Sequence, residues 1–253
     1  MRKRAFTLAE VLITLAIIGT IAAITLPSLM INTQTTELET RFKKTFADLE
    51  AFATYFRTQN DVSIPLYASL HGSPAVRDEY LKYQAKASKT SNWTYANAGS
   101  VAHDYKWYSL MDQRTTVTSP CDVTGFLQDG GGRIVSFDDA PPRGYNGPRV
   151  CIDTNGNKGP NTFGLDVFSF LFTTEGSVIP SGENHASNHH FDEFDGDKSI
   201  GNAWQAYTTT GAQHCYNSAS GLTCAYYALY NINPKNSSQK YWQDFVAKKQ
   251  YLK

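Results

Sequence analysis

The first 30 residues, MRKRAFTLAEVLITLAIIGTIAAITLPSLM, contain an apolar run from Phe6 to Leu26 in which Glu10 is the only charged residue. At about 1.5 Å rise per residue, a helix over this run is about 30 Å long, which matches the hydrocarbon core of a bilayer. A carboxylate inside a membrane span costs a few kcal/mol unless it is paired, so such a residue indicates a function. The run therefore predicts a membrane-spanning helix and a specific partner for Glu10.

Two ordinary targeting segments account for part of this stretch. A cleaved secretory signal begins with basic residues, which Arg2, Lys3 and Arg4 supply, but here the apolar run is longer than about 7–15 residues and no small-residue cleavage site follows it. A plain signal anchor fits the length, and the basic residues keep its N-terminus in the cytoplasm. Neither segment gives Glu10 a partner.

Cleavage before the apolar run, between Ala5 and Phe6, explains the position of Glu10. It leaves a new α-amino group on Phe6, four residues before Glu10. When such helices pack side by side with a stagger, the amine of one chain meets the carboxylate of its neighbour. Each buried charge is then paired only in an assembly, which predicts an assembly role for Glu10.

The stretch RAFTLAEVLITLAIIGTIAAITLP resembles the class III signal of type IV pilins and of the pseudopilins of type II secretion systems. The shared features are a basic leader, a small residue before the cut, Phe, the pattern Thr-Leu-x-Glu, and an apolar helix with a Pro near its end. This family usually has Gly where the chain has Ala5. The resemblance implies that a prepilin peptidase cuts after Ala5 and methylates the amine of Phe6.

The chain divides into a leader at 1–5, a transmembrane and assembly helix at 6–28, an amphipathic helix half at 29–59 and a globular exported head at 60–253. Pro27 is expected to kink or loosen the helix because it removes one helix hydrogen bond. The amphipathic half is predicted from apolar residues that recur at steps of three and four: Leu38, Phe42, Phe46, Leu49, Ala53 and Phe56.

The head has clearer signals for strands than for helices. The segments RIVSF, RVCIDTN and LDVFSFLFTTEGSVIP predict strands, the last as a hairpin that turns near Glu175 and Gly176. YLKYQAKAS and the terminal KYWQDFVAKKQYLK predict helices. An antiparallel sheet packed on the exported half of the long helix gives an α+β fold, similar to that of pilins.

Charge and cysteine content limit the function of the head. The formal net charge is zero, and loss of Arg2, Lys3 and Arg4 with the leader takes it to −3, so the charge balance does not indicate nucleic-acid binding. Four cysteines lie in the predicted exported part, where disulfides form. Proximity in sequence favours Cys215 with Cys224 and Cys121 with Cys151, and none of the four forms a CxxC motif.

The segment CIDTNGNKGPNTFGLDVF predicts a candidate calcium site because Ca²⁺ binds oxygen side chains on a turning loop. Its spacing differs from that of an EF-hand, and the alternative is an Asn/Gly turn whose side chains cap their own backbone. The pilin resemblance also implies calcium, since major pseudopilins carry a calcium-binding loop in the C-terminal sheet. The candidate ligands are Asp153, Asn155, Asn157, Asn161 and Asp166.

The sequence thus predicts a structural filament subunit, not an enzyme, that assembles with copies of itself and related pilins on a platform with a motor. One alternative is a minor pilin or adhesin whose aromatic head binds glycan, through stretches such as NWTYAN, YKWYSL and CAYYALY. Another is a membrane-tethered hydrolase that uses the His and carboxylate loop from His185 to Asp197.

Overall fold

The computed structural model describes residues 7–87, 105–117, 121, 123–141, 143–182, 215–216 and 221–251. Across these ranges a long N-terminal helix packs against an antiparallel β-sheet, and shorter helices surround the two. The predicted α+β, pilin-like architecture is therefore confirmed.

Helix α1 runs from Leu8 to Asn60 without interruption and is about 80 Å long. It begins with a capping box, in which the Thr7 hydroxyl accepts the backbone N–H of Glu10 and the Glu10 carboxylate accepts that of Thr7. It continues through Pro27 and ends where Asp61 takes a left-handed conformation, with φ of 55°. The predicted transmembrane half and the predicted amphipathic half are thus one helix.

The two halves of α1 differ in what covers them. The 18-residue window of highest hydropathy has no residue buried, and this helix is long and apolar enough to cross a membrane. Further along, the predicted apolar stripe faces the head, with Phe42, Leu49, Ala53 and Phe56 buried. Phe52, which lies outside the predicted stripe, is buried as well.

The described part contains seven β-strands: β1 Trp107–Tyr108, β2 Thr116–Val117, β3 Leu127–Gln128, β4 Ile134–Phe137, β5 Arg149–Asp153, β6 Val167–Phe172 and β7 Val178–Pro180. The last five form one antiparallel meander in the order β3-β4-β5-β6-β7, and β1 pairs separately with β2. The sequence segments RIVSF, RVCIDTN and LDVFSFLFTTEGSVIP supply β4, β5 and the β6–β7 hairpin, as predicted.

Three further α-helices complete the described part: α2 at Ile64–His71, α3 at Ser73–Ala87 and α4 at Cys224–Tyr230. The sequence predicted only the end of α3. It did not predict α2, whose Pro65 stands in the first helical turn, where proline is favoured. The predicted terminal helix is a shorter π-helical segment, Tyr241–Val246.

Aromatic side chains join α1 to the sheet. The ring of Phe42 lies 4.5 Å from that of Phe168 on β6 and 5.7 Å from that of Trp242, measured between centroids. All three side chains are buried. This contact fixes the head on the part of α1 that follows its exposed apolar half.

Candidate functional site

The N-terminal candidate site lies at the start of α1. The Glu10 carboxylate oxygen Oε2 accepts hydrogen bonds from the Thr7 backbone N–H at 2.8 Å and from the Thr7 hydroxyl at 2.9 Å. Ala5 and Phe6, the predicted cleavage residues, lie outside the described residues. Thr7 therefore gives Glu10 a partner within its own chain at the exposed end of the helix.

The candidate calcium residues lie at the ends of β5 and β6 and in the loop between them. Asp153 and Asp166 are both completely buried. Asn155 connects them, because its backbone N–H donates to Asp153 Oδ1 at 3.0 Å and its Nδ2 donates to Asp166 Oδ2 at 3.1 Å. The loop therefore brings two carboxylates to one residue.

Each carboxylate has further donors. Asp166 accepts the backbone N–H of Asn161 at 2.9 Å and that of Thr162 at 2.7 Å. Asp153 accepts the Tyr105 hydroxyl at 2.5 Å, and Trp107 Nε1 donates to the same hydroxyl oxygen at 3.0 Å. Tyr105 and Trp107 belong to YKWYSL, one of the stretches named for the alternative of a glycan-binding head; both side chains are buried.

Three side-chain oxygens around this loop are buried and have no hydrogen-bond partner among the described residues: Thr154 Oγ1, Asn155 Oδ1 and Asn161 Oδ1. A buried acceptor without a partner is costly, so its presence in a folded protein needs an explanation. An oxygen-binding cation would satisfy the two amide oxygens. The Asn157 side chain is exposed in the 3-10 turn Gly156–Lys158, unlike the other four candidates.

Burial strongly raises the pKa values of the two carboxyl groups. It raises the pKa of Asp153 to about 8, with the neighbouring charge of Asp166 adding to the effect. Burial also raises the pKa of Asp166, to about 6. The hydrogen bonds of the loop lower both pKa values but do not offset burial. The site therefore favours either a protonated carboxyl group or a bound cation.

The chemistry of the donors fits calcium better than a softer metal. No group of three or more His, Cys, Asp or Glu side chains that could hold a metal occurs within the described ranges. The cluster offers carboxylate and amide oxygens, which are typical ligands of Ca²⁺. Asp153, Asp166, Asn155 and Asn161 are the residues that would hold it.

The loop is fixed against the neighbouring β3–β4 turn through Gly156. This residue has a φ of 69°, and a Cβ placed on it would lie 2.3 Å from the carbonyl oxygen of Gly132. Only glycine fits both the backbone conformation and the close approach. The position of the candidate ligands is thus tied to the turn that leads into β4.

Two disulfides link the four cysteines, Cys121 with Cys151 and Cys215 with Cys224. These are the pairs that proximity in sequence favours. The first joins a loop to the centre of β5, and the second begins α4.

The His185–Asp197 loop and the NWTYAN stretch lie outside the described residues. CAYYALY forms α4, where Tyr230 is exposed.

Comparison with known protein families identifies the start of the chain. Residues 1–26 match the family described as the prokaryotic N-terminal methylation motif. No curated protein and no solved structure matches the chain significantly. The matched segment contains Thr7, Glu10 and most of the exposed apolar half of α1. The chain therefore carries the signature of type IV pilins and pseudopilins, on a fold with their long N-terminal helix and antiparallel sheet.

Proposed function

We propose that the chain is a structural subunit of a type IV pilus-like or type II secretion pseudopilus filament, which polymerises through α1. The observation that carries this proposal is the exposed apolar half of α1, with Glu10 in its first turn, within a methylation motif. Such a surface needs a bilayer or other apolar helices around it. A filament built on parallel copies of α1 provides the second environment.

In this function the precursor is a single-pass protein of the cytoplasmic membrane, with its N-terminus in the cytoplasm and its head exported. A prepilin peptidase cuts between Ala5 and Phe6 and methylates the new amine, which then pairs with Glu10 of a neighbouring subunit. The partners are other copies, related pilins, and an assembly platform with its motor. The two disulfides support an exported, oxidising location for the head, in the periplasm or on the cell surface.

We also propose that the β5–β6 loop binds calcium as a structural ion. The support comes from two buried carboxylates that share Asn155, together with the unpartnered amide oxygens of Asn155 and Asn161. A cation here neutralises both carboxylates and completes the ligand set from oxygens already in place. The ion stabilises the head and has no catalytic role.

The filament proposal is tested by coexpression of the full chain with a prepilin peptidase and an assembly system. Mass spectrometry is expected to find an N-methylated Phe6 at the mature N-terminus. Glu10→Ala is expected to insert in the membrane and be processed, yet fail to enter filaments. The matched control is Glu39→Ala, which removes a carboxylate from the head-proximal part of α1, where Lys43 pairs with it at 2.6 Å. Equal polymerisation of Glu10→Ala and the wild type would show that the charge-pairing account is wrong.

A further inference from the structure

A cavity of about 410 Å³ lies at the end of the head nearest the exposed apolar half of α1. Its wall includes α1 residues between 31 and 41, the β5–β6 loop, and residues between 246 and 251 near the C-terminus. Thr35 in this wall is the first buried residue along the described part of α1, so the cavity lies where the head begins. Its volume is within the range of ligand pockets, about 300–1,000 Å³.

The cavity is at the depth of lipid head groups when α1 spans a membrane. The predicted apolar run ends at Leu26, and Ile31 in the cavity wall follows five residues later. At about 1.5 Å rise per residue, Ile31 lies about 7 Å beyond the hydrocarbon core. The head-group layer on each side of that core is about 5–8 Å thick, and any tilt of α1 brings the cavity closer to it. One edge of the cavity therefore meets the phosphate groups of the bilayer.

The wall carries an excess of positive charge. Glu37 is the only carboxylate among the residues that line the cavity, and it pairs with Arg41, with 2.8 Å between nitrogen and oxygen. Lys158 and Lys249 are exposed in the same wall and form no ion pair within the part of the chain that the structure describes. Two cations are thus left for an occupant.

Apolar side chains form another part of the wall. Leu165, Val246 and Tyr251 are each at most 6% exposed. Ile31, which is 38% exposed, connects the cavity to the exposed apolar half of α1. Apolar groups beside two lysines suit an amphipathic molecule with a phosphate group, because lysine stems also cover apolar surface.

The net charge of the wall selects among lipids. A zwitterionic head group would place its own cation beside Lys158 and Lys249, whereas an anionic phosphodiester has no such repulsion. We propose that this cavity binds the head group of an anionic phospholipid from the bilayer that anchors the precursor. This inference rests on the proposed function, since it requires that α1 spans the membrane.

Native mass spectrometry of the full-length protein in non-ionic detergent micelles tests the inference, with phosphatidylglycerol and phosphatidylcholine as probes. The wild type is expected to bind phosphatidylglycerol about tenfold more tightly, because two lysines face its phosphate. The double variant Lys158→Gln, Lys249→Gln is expected to reduce this preference to about twofold or less. The matched control is Lys43→Gln, Lys248→Gln, which removes two exposed lysines that do not line the cavity and keeps the preference.

Equal affinity of the wild type for the two lipids would overturn the inference. So would an equal loss of preference in both double variants, because the overall surface charge would then select the lipid. Displacement of phosphatidylglycerol by excess inorganic phosphate would overturn it too, because the cavity would then bind free phosphate.

Flotation of the protein with phosphatidylcholine vesicles measures the membrane anchor separately. Failure of the wild type to float would contradict both the membrane-anchored precursor and the lipid site. Normal flotation without a preference for phosphatidylglycerol would contradict the lipid site alone and leave the proposed filament function in place.

Discussion

Arg133 and Asp48 join the sheet to the long helix. The Arg133 Nη1 atom lies 2.7 Å from Asp48 Oδ2, and the Arg133 side chain is only 6% exposed. The same guanidinium holds Asp129, whose side chain is completely buried. Asp129 in turn accepts the backbone N–H groups of Gly131 and Arg133, which shapes the β3–β4 turn. The Arg133 guanidinium therefore connects the β3–β4 turn, the buried Asp129 carboxylate and α1.

Replacement of Arg133 by methionine is expected to destabilise the protein by about 3–5 kcal/mol. The variant leaves the buried Asp129 carboxylate without its cation, and an uncompensated buried charge has a cost of this size. Denaturant unfolding of the full-length protein in micelles measures it. Lys43→Met, which breaks an exposed pair with Glu39, is expected to cost about 0.5 kcal/mol or less. Similar unfolding midpoints for the two variants would contradict the role of Arg133.

Calcium is expected to raise the melting temperature of the full-length protein by about 3–10 °C at about 10 mM. This range follows from an affinity typical of extracellular calcium sites and from the stabilisation that a bound ligand gives to the folded state. Differential scanning calorimetry with calcium and with a chelator provides the measurement.

Three variants identify the ligands. Asp153→Asn and Asp166→Asn are expected to abolish the calcium shift, because each removes a buried carboxylate. Asn157→Ala is the matched control in the same loop and keeps the full shift, since its side chain is exposed. An unchanged melting temperature in the wild type would leave the loop as an Asn/Gly turn without a cation.

The calcium shift is expected to grow as the pH rises. The pKa values of Asp153 and Asp166 are raised in the folded state, to about 8 and about 6, so protonation stabilises the calcium-free head. This stability is complete below the ordinary range of aspartate pKa values and is lost as the pH increases through the two raised values. Calcium binds the ionised carboxylates, so protons compete with it at low pH.

Melting curves at about pH 5 and about pH 9, each with and without calcium, test whether the calcium-induced shift in melting temperature grows with pH. The shift is expected to be small at the lower pH and largest at the higher pH. The double variant Asp153→Asn, Asp166→Asn removes both titrating groups and is expected to lose this dependence. An equal shift at both pH values would rule out the two carboxylates as the ligands.

Loss of the Cys121–Cys151 disulfide is expected to cost more than loss of Cys215–Cys224. Cys121 and Cys151 are separated by 30 positions in the sequence, whereas Cys215 and Cys224 are separated by 9, so the first disulfide closes the longer loop. Chain entropy then gives about 3.5 and about 2.5 kcal/mol, respectively. Double Cys→Ala variants test the order by denaturant unfolding. Peptide mapping without reductant checks the pairs, and alkylation of any cysteine before reduction would contradict them.

The sequence predicted α1 and the central strands because their signals are local. Apolar residues at steps of three and four define the buried stripe of α1, and short β-branched and aromatic runs define β4, β5 and β6. The sequence also predicted both cysteine pairs, because the two members of each pair lie near each other in the chain. These features depend on neighbours within a few tens of residues.

Contacts between distant residues explain what sequence reasoning missed. Tyr105 lies 48 positions before Asp153, and Asp48 lies 85 before Arg133, so no local pattern connects either pair. No pattern in the run Asp129-Gly-Gly-Gly-Arg133 indicates the ion pair between its two ends. Asn157 alternates along the chain with Asp153 and Asn155, but the 3-10 turn at Gly156–Lys158 leaves its side chain exposed.

The exposed apolar half of α1 also limits how a filament subunit, as proposed above, would reach its filament. Because the head leaves this half uncovered in the described part of the chain, the half is unstable in water on its own. In the proposed function, a subunit that leaves the bilayer therefore passes directly into contact with the helices of subunits that are already assembled. Its transfer takes place between two apolar surroundings, without an intermediate in water.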